Sequence, residues 1–174
     1  RGGRDPAGET WRVPAFWAGR NVFRVRFAAP RPGSYTWRSE CSEPRDTGLH
    51  GQTGTIEAQP YDGSCALYRH GRLRVAGSKR TLEHSDGTPF LWLADTWWMG
   101  LMPRLDWPEG FQGLVADRVG KGFNTIQINA GPQPDFCATT GAWDPQQANE
   151  AGWPWEKEFA RINPAFYDLA DRRF

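Results

Sequence analysis

The sequence predicts two parts in series: an incomplete β-sandwich of immunoglobulin type over residues 1–62, then the opening of a β/α repeat over 63–174. Three observations carry this. Residues 11–58 alternate apolar and polar with period two, the pattern of antiparallel strands wetted on one face. Beyond Pro60 the period changes, and a run apolar on both faces at 90–94 is followed by helical spacing and a second strand. Clusters of Gly, Pro, Asn and Asp punctuate both parts.

In the first part, Trp11, Val13, Ala15 and Trp17 share one face. Phe23, Val25 and Phe27 alternate with Arg24 and Arg26, and Tyr35 and Trp37 alternate with Thr36 and Arg38. The apolar members are expected inside and the arginines outside. Turns are expected at 18–21 and 30–33, a polar loop at 42–54, and a weaker strand through Ile56 and Ala58. The strands are too few for a whole sandwich.

In the second part, 73–76 and 81–84 read as a hairpin turned by Gly77-Ser78, with another turn at 86–89. Residues 90–94 suit a parallel strand covered on both sides. Pro108 fits position N1 of a helix whose inner face holds Phe111, Leu114, Val115, Arg118 and Val119, with Gly122 as its C′ residue. Residues 123–130 form the next strand, and Asn163-Pro164 caps and opens a second helix. The chain starts at Arg1 without an initiator Met and stops inside that helix, so it reads as a fragment.

Composition narrows the function. Lys and Arg number 21 against 20 Asp and Glu, a net charge of +1, which offers no field for nucleic acid or an anionic membrane. No apolar run approaches the roughly 18 residues of a membrane span, so insertion is not expected. Aromatics at 14%, with 10 Trp, argue for a folded globular chain. The three cysteines, Cys41, Cys65 and Cys137, form no metal-binding spacing, and a Cys41–Cys65 bridge is compatible with export. His50, His70 and His84 are scattered and suit local hydrogen bonding. There is no G-x-S-x-G, H-E-x-x-H, G-x-G-x-x-G or phosphate-loop motif, so neither a metal nor a cofactor is expected.

Chemistry is expected where parallel strands end. Asp95 follows the first such strand with Trp97 and Trp98 behind it. A carboxylate there can orient sugar hydroxyls, and an indole offers a flat apolar face to a sugar ring; the alternative is that Asp95 caps the following turn and the two tryptophans are core. On the second strand Thr125, Gln127 and Asn129 share a face, and buried polar residues in a row each need a partner. The stretch 131–161 is far longer than the ~2–6 residues of an ordinary βα connection. It carries Trp143, Trp153 and Trp155 with Asp135, Asp144, Glu150 and Glu156, the makings of a substrate wall or, as the alternative, of tryptophans used for packing alone.

The segments His70-Gly71-Arg72-Leu73-Arg74-Val75, His84-Ser85-Asp86-Gly87-Thr88-Pro89-Phe90, Leu93-Ala94-Asp95-Thr96-Trp97-Trp98 and Lys121-Gly122-Phe123-Asn124-Thr125-Ile126-Gln127 resemble the apiosidase-like glycoside hydrolases. Ala94 stands where that motif commonly has Gly. The resemblance implies a bacterial (β/α)8 TIM barrel behind an immunoglobulin-like domain. It also implies hydrolysis of a glycosidic bond in a plant or microbial polysaccharide, the expected partner. Asp95, Trp97, Trp98 and Gln127 match the motif and, with Asn129, are the expected substrate contacts. Such enzymes use two carboxylates, which the resemblance puts on later strands, beyond residue 174. The 174 residues alone are therefore expected neither to hydrolyse glycosides nor to form a stable monomer. A non-catalytic carbohydrate-binding or surface-attachment protein on the same scaffold is the competing reading. Extracellular, periplasmic and cytoplasmic locations all fit.

Overall fold

The computed structural model describes residues 8–131, 147–156 and 159–174. The chain divides into two compact units, residues 1–16 with 23–90, and residues 17–22 with 91–174.

The first unit is β-rich. Short strands β1 (Phe16–Trp17) and β2 (Phe23–Arg24) lie where the chain leaves this unit and returns to it, and the turn between them, which belongs to the second unit, is closed by Val22 N donating to Gly19 O at 3.0 Å. Strands β3 (Gly33–Arg38) and β4 (Thr53–Ala58) pair antiparallel over their full length, with Tyr35 opposite Ile56 and Trp37 opposite Gly54. The polar loop between them is closed at its neck, where Ser39 N donates to Gln52 O at 2.8 Å and Ser39 Oγ to Leu49 O at 2.5 Å.

The alternation is realised in part. Tyr35 is buried, with its ring 5.5 Å from Phe27 and 6.2 Å from Trp11, and its hydroxyl donates to Arg31 O at 2.5 Å. Trp11 and Val13 are half-buried. Phe23, Val25 and Trp37, expected inside, are 49%, 55% and 39% exposed. The physical reason is the width of the sheet. β3 and β4 form a two-stranded sheet, and their apolar face lines a groove of about 670 Å³ with Val13, Val25 and Phe27 instead of meeting a second sheet.

A four-residue helix α1 (Ala66–Arg69), which the residue pattern did not signal, precedes a three-stranded antiparallel sheet. Its strands are β5 (Leu73–Val75), β6 (Leu82–His84) and β7 (Pro89–Phe90). The expected hairpin and following turn are present, with Leu73 opposite His84 and Gly87 N donating to His84 O at 2.9 Å.

In the second unit, β8 (Ala94–Trp97) and β9 (Thr125–Ile128) pair parallel, joined through α2 (Glu109–Gly120). The first parallel strand therefore begins where 90–94 was expected to end. That apolar run is split. Phe90 pairs with Leu82 in the antiparallel sheet. Leu91, Trp92 and Leu93 lie outside any strand, 77%, 53% and 38% exposed. The Asn124 side chain substitutes for a ladder there, donating to Leu91 O at 2.6 Å and accepting from Leu93 N at 3.1 Å.

Pro108 is the N-cap of α2, one position before the expected N1. At the other end Gly122 (φ +84°) donates to Val119 O and Phe123 N to Arg118 O, both at 3.0 Å, a Schellman ending that a residue with a Cβ would strain. Helix α3 (Pro164–Arg173) begins as expected, with Asn163 Oδ1 accepting from Ala165 N at 3.2 Å. Trp97, Leu101, Met102, Phe111 and Phe166 form the buried apolar core of this unit. Among the described residues no helix is long and apolar enough to cross a membrane.

Candidate functional site

The parallel pair sets the geometry of the expected site. Residues directly opposite in a parallel ladder put their side chains on the same face, and alternate residues on opposite faces. Asp95 lies opposite Ile126 and Trp97 opposite Ile128, so these four share one face. Thr96 lies opposite Gln127 and Ala94 opposite Thr125, so these share the other. Asp95 and Gln127 are thus on adjacent strands and on opposite faces.

The Asp95 face is the one α2 covers. Trp97 is 5% exposed, and its ring meets Phe111 of α2 edge-on at 5.3 Å. Trp97 Nε1 donates to Asp95 Oδ2 at 2.9 Å, Arg118 Nε donates to the same oxygen at 2.5 Å, and Thr96 N donates to Asp95 Oδ1 at 2.9 Å. Arg118 beside Asp95, then the Trp97 bond, hold this carboxyl below its ordinary range. Arg118 reaches Asp117 as well, and Asp117 pairs with Lys121 at 2.7 Å.

Gln127 and Thr96, on the other face, are exposed. Trp98 follows the end of β8 and is 59% exposed. Asn129, just past β9, is half-buried and accepts from Gly131 N at 3.4 Å. The structure therefore gathers Asp95 with Trp97 under the helix and leaves Trp98 and Gln127 outside that cluster.

Of the expected substrate wall, Asp135, Asp144 and Trp143 lie outside the described residues, as does Cys137. Trp153, Trp155 and Glu156 remain. Trp155 pairs antiparallel with Ile162, and Asn163 N donates to Pro154 O at 2.8 Å, which joins 154–156 to 161–163. With Gly152, Asn163 and Pro164 they line a cavity of about 480 Å³. Glu150 takes another role, accepting from the buried Arg173 at 3.1 and 3.2 Å.

Two residues were missed as participants. Arg118 carried a signal, a charge within the apolar stripe of α2. Arg173 carried none, since its partner Gly100 O, at 3.2 Å, stands 73 positions away.

The histidines bond locally. His70 Nδ1 lies 2.8 Å from Asp86 Oδ2, His84 Nδ1 3.0 Å from Gly71 O, and His50 Nδ1 accepts from Cys41 N at 3.1 Å. The Thr88 amide and then His70 lower the Asp86 carboxyl to about 2. Cys41 and Cys65 are free thiols. Among the described residues no cluster of three or more His, Cys, Asp or Glu is placed to hold a metal ion.

Two family models match the chain. Residues 76–174 match the Apiosidase-like catalytic domain, and residues 4–42 match a domain of unknown function, DUF5060. No curated protein matches the chain, and no solved structure does.

Proposed function

We propose, from the premise that this chain belongs to the apiosidase-like catalytic-domain family, that it serves hydrolysis of a glycosidic bond in a plant or microbial polysaccharide. The carrying observation is the family match, which spans more than half of the chain and contains the whole unit β8–α2–β9. Strand, helix and parallel strand in that order are how a (β/α)8 barrel is built, and the parallel pairing supports that architecture. Tyr35 supports an immunoglobulin-like reading of the first unit, because its hydroxyl returns to the backbone four residues upstream, as in the corner tyrosine of such sandwiches.

On this reading the two faces of the parallel pair divide the work. Gln127, Asn129 and Trp98, outside the α2 cluster, contact substrate. Asp95 and Trp97 position β8 from behind, through Arg118 and Phe111. The general acid and the nucleophile are assigned to none of these residues.

The test is release of reducing sugar, from a panel of plant and microbial polysaccharides, by the full-length protein that carries the later strands on which the two carboxylates are expected. Release from at least one is expected. Saturable binding without any release would favour the carbohydrate-binding reading.

A further inference from the structure

We propose that the turn Trp17–Val22 is a strap of the second unit, through which the stretch matching the domain of unknown function holds the start of α3 in the apiosidase-like stretch. Two sets of boundaries disagree here. The chain leaves the first unit after Phe16, runs through Trp17–Val22 in the second, and re-enters the first at Phe23. Residues 17–22 fall inside the match over 4–42, whereas Arg161 and Pro164, which they approach, fall inside the match over 76–174.

The turn is closed by its own bonds. Trp17 Nε1 donates to Arg20 O at 2.9 Å, Ala18 N to Val22 O at 2.9 Å, and Val22 N to Gly19 O at 3.0 Å. Gly19, at φ +96°, holds a backbone conformation that a side chain would strain. The root is fixed as well. β1 pairs with β2, and the Arg26 guanidinium lies 5.1 Å from the centre of the Phe16 ring. A turn held in this way loses little conformational freedom when it docks.

The tip meets the residues that open α3. A Cβ built on Gly19 would lie 3.7 Å from both Cβ and Cγ of Pro164, ordinary van der Waals contact, so the turn stands one methyl group from the proline ring. The Arg161 guanidinium lies 5.8 Å from the centre of the Trp17 ring, within reach of a cation–π contact. Glu156 fixes the same guanidinium through Oε1 at 2.9 Å. Between Arg161 and Pro164 comes Asn163, whose Oδ1 accepts from Ala165 N at 3.2 Å and whose Nδ2 donates to Ala151 O and Trp153 O at 2.9 Å. The strap therefore brackets the residue that caps α3 and ties it to 151–153.

Parts of a fold open locally with free energies of their own. Without the strap α3 should open more often, while the ladder of β3 and β4 should be unaffected.

The experiment is native-state hydrogen exchange of the protein, read separately over α3 and over β3 with β4. In one variant residues 18–22 are replaced by a two-residue Asn-Gly turn, which keeps β1 and β2 joined and removes the tip. Exchange in α3 should quicken by about tenfold or more, and exchange in β3 and β4 should keep the parental rate. Trp17→Ala and Arg161→Ala should each quicken α3 by roughly threefold, the scale of one exposed cation–π contact. Trp17→Ala should add less in the Arg161→Ala background, because the contact is already gone. This cycle carries the test if the shortened protein fails to fold. Parental exchange in α3 of a folded shortened protein overturns the strap. Equal quickening in β3 and β4 does so too, since it would make the turn a general support of the fold, as do fully additive effects of Trp17→Ala and Arg161→Ala.

Discussion

Arg118 Nε donates to Asp95 Oδ2 at 2.5 Å, tying the last turn of α2 to the middle of β8. The same oxygen accepts from the buried Trp97 indole at 2.9 Å, so one carboxylate joins helix, strand and core. Asp95→Ala and Arg118→Ala should each lower the melting temperature by about 2–4 °C. The double variant should melt little lower than either single one, because both remove the same link. Strictly additive shifts in thermal denaturation would show that the two residues act separately.

Trp37 lies directly over Gly54, and a Cβ added there would sit 2.7 Å from three atoms of the indole. Gly54→Ala must therefore push the ring aside, at a cost of ~1–3 kcal/mol. In a Trp37→Ala background the same change should be neutral or slightly stabilising, since a strand glycine loses more chain entropy on folding than alanine. Chemical denaturation of the four proteins measures both effects. Equal penalties in the two backgrounds would rule out the indole as the cause.

Acid should release the turn at Asp86. The Thr88 amide and His70 lower this carboxyl from 3.8 to about 2. A carboxyl whose folded value is depressed stabilises the folded state above its unfolded value. That contribution fades as pH falls from about 4 and is gone below about 2. A carbon NMR titration should place its midpoint near 2. His70→Ala should raise the midpoint only part of the way to 3.8, because the Thr88 amide still donates at 2.9 Å. A complete return would assign the whole shift to His70.

Arg173 should be the costliest arginine to remove. Its side chain is 2% exposed, bonds Gly100 O and both oxygens of Glu150, and lies 5.8 Å from the Trp107 ring centre. Arg173→Ala should lose about 2–3 kcal/mol, the scale of hydrogen bonds to a charged group. Glu150→Gln should lose less, because Glu150 is 56% exposed and its partner keeps the bond to Gly100. Urea denaturation ranks the two, and a larger loss in Glu150→Gln would reverse the argument.

Local signals were legible where the physics is local. Asn163-Pro164 opens α3 because the cap accepts an amide two residues away. Gly122 ends α2 because a positive φ favours a residue without a Cβ. The hairpin of β5 and β6 follows from its turn, and the order of strand, helix and parallel strand from the change in hydrophobic period. The family was legible in motifs spread over both parallel strands.

Other features depended on what each element meets. Period two divides a strand into two faces, but nothing in the pattern says which face a helix will cover. Asp95 and Gln127 sit in strand segments with equal polar promise. Only the placement of α2 turned Asp95 toward Arg118 and left Gln127 exposed. The run 90–94 looked uniform, yet Phe90 found a partner in β6 while Asn124 took the backbone of 91 and 93. The sequence by itself determined the β5–β6 hairpin, the order of strand, helix and parallel strand, the start of α3, the end of α2 and the family. The tertiary structure decided which carboxylates are spent on packing, because hydrogen bonds between residues 23 and 73 positions apart, such as those of Arg118 and Arg173, exist only once the chain has folded.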